Sequence, residues 1–426
     1  MAPRVKCTCH WAAGSETVNI LFLGMNYSPE PTGIGPLTTD LCEHLALQGH
    51  EVSVVTAVPH YPEWAIYPDY RGKVFVKEQR NGVTLRRGYV HLPKNSTTIQ
   101  RIAYDTSICF SALYWGLMSR KVDVIFAISP PLQLGVVGCL LSQIKRSVFV
   151  FQVQDLALDA GMALGMLKNN AIIRVARASE SLIYRRAQSI FVIGNGLFES
   201  LRKRGVSESK IKVLSNWVDT DIIRPLERNN AFRQQHGLVG KLVALHAGNI
   251  GAKQDLGNVI HAASLLARRR ELVFMLVGEG SQKAALKEMV AELNLENVRF
   301  LPLQPKESLS EMFSAADVLL LNQVPGLADV VLPSKLLTYM AAGRPIIASI
   351  DPDSESANYV RKAECGLVIL PQKPDLLAKA ITRVVDSPSS IKLGEKARAF
   401  AEKNFARRYI LTQYDAYFRN LRREKR

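Results

Sequence analysis

The sequence predicts an α/β protein of two Rossmann-like, doubly wound parallel-sheet domains facing one another across a cleft. Three observations carry that reading. The chain has 426 residues, more than one hydrophobic core ordinarily serves, so two domains of roughly 200 residues follow. Short apolar runs of strand length alternate with helical patterns along nearly all of it, as in a parallel sheet covered on both faces. Glycine-bearing loops follow strand-like runs in both halves, where open α/β sheets take their ligands.

The elements come in order. Residues 1–18 read as a disordered extension. A strand over 19–25 leads through the loop 26–35 into a helix opening at Pro36, where the missing N–H costs nothing. Leu37, Leu41 and Leu45 give that helix one buried stripe, Gly49 ends it, and 51–56 is the next strand: one complete βαβ unit. Further strands fall at 122–127, 147–152 and 189–193, with a helix over 170–186. The polar run 215–226, closed by Pro225-Leu226, reads as a linker. A second series follows, with strands at 241–247, 272–277, 298–301, 318–321, 345–349 and 366–369 and helices at 256–268, 282–293 and 334–341. Residues 392–423 are helical and basic. The expected division is 19–218, 219–400, and a tail 401–426 packing back towards the first domain.

Hydrophobic content of 47% and charged content of 22% are those of a globular protein. The net charge of +16 favours anionic partners such as nucleotide sugars or phospholipid headgroups. Nucleic acid is set aside, because the basic residues are dispersed and no recognition motif accompanies them. The six cysteines lie mostly within apolar segments, which suits buried thiols in a reducing compartment. Cys7-Thr8-Cys9-His10 is an isolated metal-like string near a chain end, and the histidines show no metal spacing. No basic region followed by an apolar stretch marks a secretory signal at the start. No run has membrane-spanning length. Residues 106–118 come nearest and read either as a buried helix or as an interfacial one presenting Tyr114 and Trp115 to a membrane.

The loop with Gly33-Ile34-Gly35 joins the first strand to a helix N-terminus, but a full G-x-G-x-x-G is missing. No acidic residue follows the second strand to grip a dinucleotide ribose, which excludes a nicotinamide enzyme. In the second half, Gly248-Asn249 closes a strand and Lys253 follows; glycine admits a ligand to the backbone and lysine meets its charge. Gly278 is either a tight turn or a ligand contact. Asp329, Ser334 and Lys335 flank a presumed helix N-terminus, although a surface lysine is the plainer account of Lys335. Gln154 and Asp155 stand at the carboxyl edge of a strand, and Asp155 serves equally well there as a helix cap. His60, Tyr61 and Trp64 form a proline-bounded aromatic loop, suited to packing or to an acceptor sugar.

Taken together, 33–35, 248–253, 278–280 and Tyr339–Pro345 resemble the GT-B retaining glycosyltransferases of family 4. The strings at 153–155, 215–217, 300–305 and 328–335 are similar to the exopolysaccharide branch typified by the colanic acid fucosyltransferase and the L-fucosamine transferase of O-antigen assembly. The resemblance implies a GDP- or UDP-linked sugar donor on the second domain and a polyprenyl-linked or polysaccharide acceptor on the first. It implies a metal-independent reaction without cofactor, in a cytoplasmic enzyme peripheral to the membrane's inner face. Lys253, helped by Asn249 and backbone near Gly248 and Gly33–Gly35, would meet the diphosphate, and Gln304 would hold the base. Two positions depart from the family. Thr338 stands where relatives carry a glutamate, with Asp329 only approximating the other one. Gln154 replaces a histidine and cannot act as a base near neutral pH, so Asp155 is the other candidate. These departures keep open a nucleotide-sugar 2-epimerase or a silent scaffold subunit on the same fold.

Overall fold

The computed structural model describes residues 17–31, 33–93, 97–119, 121–163, 165, 167–326 and 335–424. The first sheet contains β1 (Asn19–Leu23), β2 (Glu51–Ala57), β3 (Phe75–Arg80), β4 (Val83–Gly88), β5 (Val124–Ser129), β6 (Val148–Val153), β7 (Ser189–Val192) and β8 (Ile211–Val213). Their spatial order is β3-β4-β2-β1-β5-β6-β7-β8. The second contains β9 (Leu242–Ala247), β10 (Leu272–Val277), β11 (Val298–Leu301), β12 (Val318–Asn322), β13 (Ile346–Ser349) and β14 (Gly366–Ile369). Its order is β11-β10-β9-β12-β13-β14, parallel throughout. Strands β1, β5, β6, β7, β10, β12 and β13 are buried along their whole length, which is why they read as continuous apolar runs.

Strand order reverses between β1 and β5 in the first sheet and between β9 and β12 in the second. Ligand crevices of doubly wound sheets open beyond the carboxyl ends at such points. The loop ending at Gly35 leaves β1, and the loop carrying Lys253 leaves β9. Topology therefore places both glycine loops at crevice positions.

Three features depart from the sequence reading. The antiparallel β3–β4 hairpin extends the first sheet at its edge. Its Asn81-Gly82 turn, with both φ values positive (45° and 82°), is the two-residue hairpin signal. Val18 is fully buried, with its N–H bonded to His50 Nδ1 at 3.1 Å, so ordered chain begins before residue 19. The basic C-terminal stretch is two helices, Ser390–Phe405 and Arg407–Glu424, separated at an extended Ala406. The first packs Ala397, Ala401 and Phe405 into the second domain's core. The second sends Leu411, Tyr414 and Phe418 into the first domain against Phe22, Phe126 and Phe191. The chain thus crosses between domains near Val218 and again at Ala406. The crossings bond to one another, Val218 N–H to Phe405 O at 2.9 Å and Arg407 N–H to Val218 O at 3.0 Å.

Candidate active site in the interdomain cleft

On the first-domain side, the loop after β1 is organised by Glu30. This buried carboxylate accepts hydrogen bonds from Asn26 Nδ2 (2.9 Å) and from the N–H groups of Tyr27 (3.3 Å), His60 (3.0 Å) and Tyr61 (2.9 Å). It ties the glycine loop to the aromatic loop. Gly33 takes φ 71°, a left-handed conformation that a side chain resists, with the Tyr61 ring 3.6 Å from where a Cβ would stand. Ile34 precedes the helix Gly35–Leu47, and no side chain caps that N-terminus. Among the described residues no side chain bonds the N–H groups of its first turn, which a helix N-terminus offers to an anion.

The aromatic loop divides in role. His60 is 0% exposed, with Nδ1 against Val58 O and Nε2 against Tyr104 Oη, each at 2.8 Å. It therefore holds the loop from beneath and does not face an acceptor, so of the two roles the sequence left open for His60 the structure has packing and not the acceptor contact. Tyr61 is partly buried, and burial raises its phenol pKa. Trp64 is 40% exposed, packs edge-on against Tyr61, and lies beneath the Arg101 guanidinium. These two rings are the part of the loop offered to a ligand.

Gln154 and Asp155 follow β6. Gln154 Oε1 accepts from Asn216 Nδ2 at 2.9 Å, anchoring it to the interdomain crossing. Asp155 Oδ1 is buried without a hydrogen-bond partner among the described residues. Burial raises its pKa, while the positive charges of Lys253 and Arg101 draw it back. Lys253 belongs to the second domain, so the two crevices share one electrostatic space.

On that second side, Gly248 and Gly278 take φ values of 130° and 142°. A Cβ on Gly278 would stand 1.9 Å from Gly248 O, so the loops after β9 and β10 abut through bare backbone. Asn249 folds over this floor, its Oδ1 2.7 Å from the place of a Gly280 Cβ. Lys253 sits in the short turn Ala252–Gln254, partly exposed, with its carbonyl accepting from Val324 N–H at 3.0 Å. Lys335 opens the helix Lys335–Ala341 and reaches towards Gly248, its Nζ 3.5 Å from where a Cβ would be. Burial pulls its ammonium down to about 7, as desolvation does to any cation lacking a counter-charge. Its Nζ lies 3.3 Å from Nε2 of the fully buried His246.

Thr338 lies on the same helix, partly buried, and Tyr339 Oη accepts from Ala247 N–H at 2.8 Å, fixing that helix to β9. Gln304 Nε2 donates to Pro302 O within its own loop at 2.9 Å. Asp329 and Ser334 lie outside the described residues, as does the Cys7–His10 string. Glu30, His246 and Arg101 were missed in the sequence. Only a carboxylate between two loop prolines hinted at Glu30. Among the described residues no group of three or more His, Cys, Asp or Glu gathers to hold a metal. The arrangement offers two lysines, bare backbone and a helix N-terminus to a diphosphate, with the buried Asp155 carboxyl opposite.

Family models fit both halves: "Glycosyl transferase 4-like domain" over residues 32–217 and "Glycosyl transferases group 1" over residues 228–406. The chain is 30% identical to the putative colanic acid biosynthesis glycosyl transferase WcaI of Escherichia coli, covering 93% of this chain and 98% of that protein. It is 27% identical to the probable glycosyltransferase WbjE of Pseudomonas aeruginosa, over 72% of this chain and 77% of that one. In fold it is similar to Anabaena HepE solved with UDP, at TM-score 0.71 and 18% identity, covering 95% and 100% of the two chains. With its two doubly wound sheets and its glycine-floored cleft, the chain belongs to the GT-B glycosyltransferases of group 1, family 4, on the colanic acid branch.

Proposed function

We propose that the chain is a retaining glycosyltransferase. It moves a fucose-type or N-acetylamino sugar from a GDP- or UDP-linked donor to a polyprenyl-linked or polysaccharide acceptor, in the cytoplasm at the inner membrane face. One observation carries the reading: the loops after β9 and β10 meet as bare backbone at Gly248 and Gly278, with Lys335 reaching over Gly248 and Lys253 in the turn that follows. A diphosphate set there brings its charge to Lys253 and Lys335. As the bond from the sugar's anomeric carbon to phosphate oxygen breaks, negative charge grows on that oxygen, and preorganised cations stabilise it. The acceptor oxygen bonds to the same face of the anomeric carbon, and its proton passes to the departing phosphate. Asp155 positions the acceptor, and Tyr61 and Trp64 supply faces for its sugar rings. The lysines supply the positive charge, so no metal is needed and chelator leaves turnover unchanged.

The name of the E. coli relative supports an exopolysaccharide acceptor, and UDP bound to HepE supports a nucleotide donor. The test is to incubate purified chain with GDP-fucose or UDP-N-acetylamino sugars, with and without membrane lipid acceptor. Acceptor-dependent nucleotide release with retained anomeric configuration is the expected result. Acceptor-free epimerisation, or donor binding without turnover, overturns it.

A further inference from the structure

One side of the first sheet is covered by the helices Thr98–Met118, Leu132–Lys145 and Asn170–Arg186, packed through glycine contacts. A Cβ on Gly116 would stand 2.3 Å from Leu141, and one on Gly135 2.7 Å from Ile183. The outer faces of the first two are apolar. Phe110 is 76% exposed, with Tyr114 and Leu117 one turn and two turns further on. Beside them Leu140 and Ile144, the latter 55% exposed, continue the strip on the neighbouring helix. Phe75 of the hairpin stacks on Tyr114 with centroids 4.8 Å apart and extends it again. Between hairpin and helix runs a groove of about 490 Å³, walled by Val74, Tyr89, Ala103 and Phe110. Trp115, in contrast, turns inward, its Nε1 donating to Arg87 O at 3.2 Å. An exposed apolar surface this continuous marks an interaction site.

The charges around it select the occupant. Residues 106–118 contain no Asp, Glu, Lys or Arg. Where the helix ends, a pocket of about 470 Å³ gathers Lys77, Arg86 and Lys121 against the single carboxylate of Glu51. Arg86 Nη1 donates to Trp115 O at 3.2 Å, and its Nε is buried there without a hydrogen-bond partner among the described residues. Lys145 Nζ donates to Leu117 O at 3.0 Å, placing a further cation at the rim. Among the described residues no helix is long and apolar enough to cross a membrane. An apolar strip with tyrosine at its edge and cations at its rim is the pattern of a helix lying in the bilayer interface. A second copy of the chain is disfavoured, since face-to-face pairing brings like-charged rims together.

We infer that this face docks on an anionic phospholipid bilayer, with Phe110, Tyr114, Leu140 and Ile144 entering the acyl boundary and the Lys77–Arg86–Lys121 pocket taking a lipid phosphate. The same helix begins at the acceptor loop, where Arg101 covers Trp64 and Tyr104 bonds His60. Docking therefore lays this helix along the membrane, with the acceptor loop at one end and the basic pocket, at the amino ends of β1 and β2, at the other. It rests on the transferase reading only for what the membrane delivers, not for the binding itself.

The test is flotation of the full chain with phosphatidylcholine vesicles, with and without phosphatidylglycerol, at low and high salt. Binding to the anionic vesicles is expected, weakened about tenfold or more by salt. Phe110→Asp with Leu140→Asp is expected to abolish it, and Lys77→Glu with Lys121→Glu to remove the preference for phosphatidylglycerol. Circular dichroism and donor-induced thermal stabilisation should stay at wild-type levels, which separates lost docking from lost folding or lost donor binding. Vesicle binding that is absent, salt-insensitive, or unchanged in Phe110→Asp/Leu140→Asp overturns the inference. So does a self-association in sedimentation that this double variant dissolves.

Discussion

Asp40 receives Arg407 Nε on both carboxylate oxygens, at 2.7 and 2.8 Å, tying the first-domain helix Gly35–Leu47 to the second interdomain crossing. The same carboxylate accepts from Trp217 Nε1 at 2.6 Å, on the first crossing. One side chain thus pins both strands of the hinge to the helix whose N-terminus faces the cleft. Charge-assisted hydrogen bonds are worth about 1.5–3 kcal/mol, and partial exposure of the pair moves this towards the lower end. Asp40→Ala is expected to lower the melting temperature by about 2–6 °C. Asp40→Asn, which keeps an acceptor for Trp217, should lose less. Unchanged melting in Asp40→Ala shows the hinge to be held elsewhere.

Lys253 is placed to meet the diphosphate as the leaving group departs. Lys253→Ala should cut turnover by about a hundredfold or more, the scale for losing a group aimed at developing charge. Donor binding, read by thermal stabilisation, should fall less than turnover. Near-normal turnover removes Lys253 from the reaction.

Much of the fold was legible because its strands are buried on both faces. β10 begins and ends at the predicted residues, since a run apolar at every position leaves no other period to read; β11 and β14 do so too, although they are only partly buried and β11 carries Arg299. The edge strand β3 was not, because Phe75–Arg80 is mostly exposed and mixes charge with apolar residues; local turn chemistry at Asn81-Gly82 was its only signal. The glycine loops could be read because positive φ and backbone contact leave few other choices at Gly33, Gly248 and Gly278. Glu30, His246 and Arg101 could not. Each acquires its role from partners far away in sequence, as Glu30 does from His60 and Tyr61, and no local pattern encodes that.

Asp155 is costly to the fold. Burial raises its pKa, so the folded chain holds its proton at pH values where the unfolded chain has lost it. Its stabilising share is present at low pH and is lost as pH rises through the folded value. Asp155→Asn should therefore raise the melting temperature more near neutral pH than at mildly acidic pH, while turnover falls. Gln154→Ala should cost less activity than Asp155→Ala, because its amide is engaged with Asn216. The reverse order, or a stabilisation independent of pH, refutes the assignment.

Lys335 gives the opposite sign. Its folded pKa, about 7, lies below that of an unfolded lysine. Between the two values the unfolded chain holds more protons, so stability of the ligand-free protein rises with pH through that window. A bound diphosphate restores the charge, so donor binding above about pH 7 should take up a proton. Calorimetry in buffers of different ionisation enthalpy measures that uptake. It should vanish in Lys335→Met, and equal uptake in the variant assigns the proton to another group.

Glu355 closes the cleft from the far side. Its carboxylate, on the second domain, accepts from Asn195 N–H at 2.7 Å and Gly196 N–H at 3.0 Å, at the N-terminus of the first-domain helix Asn195–Lys203. Tyr359 Oη steadies it at 2.7 Å. Anions are favoured at that helix end, so the contact holds the two domains together without apolar burial, and it can release. The neighbouring Gly194 shows how little room there is: a Cβ there would stand 2.1 Å from Glu355 Oε2. Gly194→Ala must push the carboxylate away, whereas Glu355→Gln keeps an acceptor in place. Small-angle scattering should therefore show a larger radius of gyration for Gly194→Ala and Glu355→Ala than for wild type, with Glu355→Gln between. Both open variants should raise KM for donor more than they lower kcat, because closure is then drawn from binding energy. A scattering profile identical to wild type in Gly194→Ala shows that the domains close without this contact.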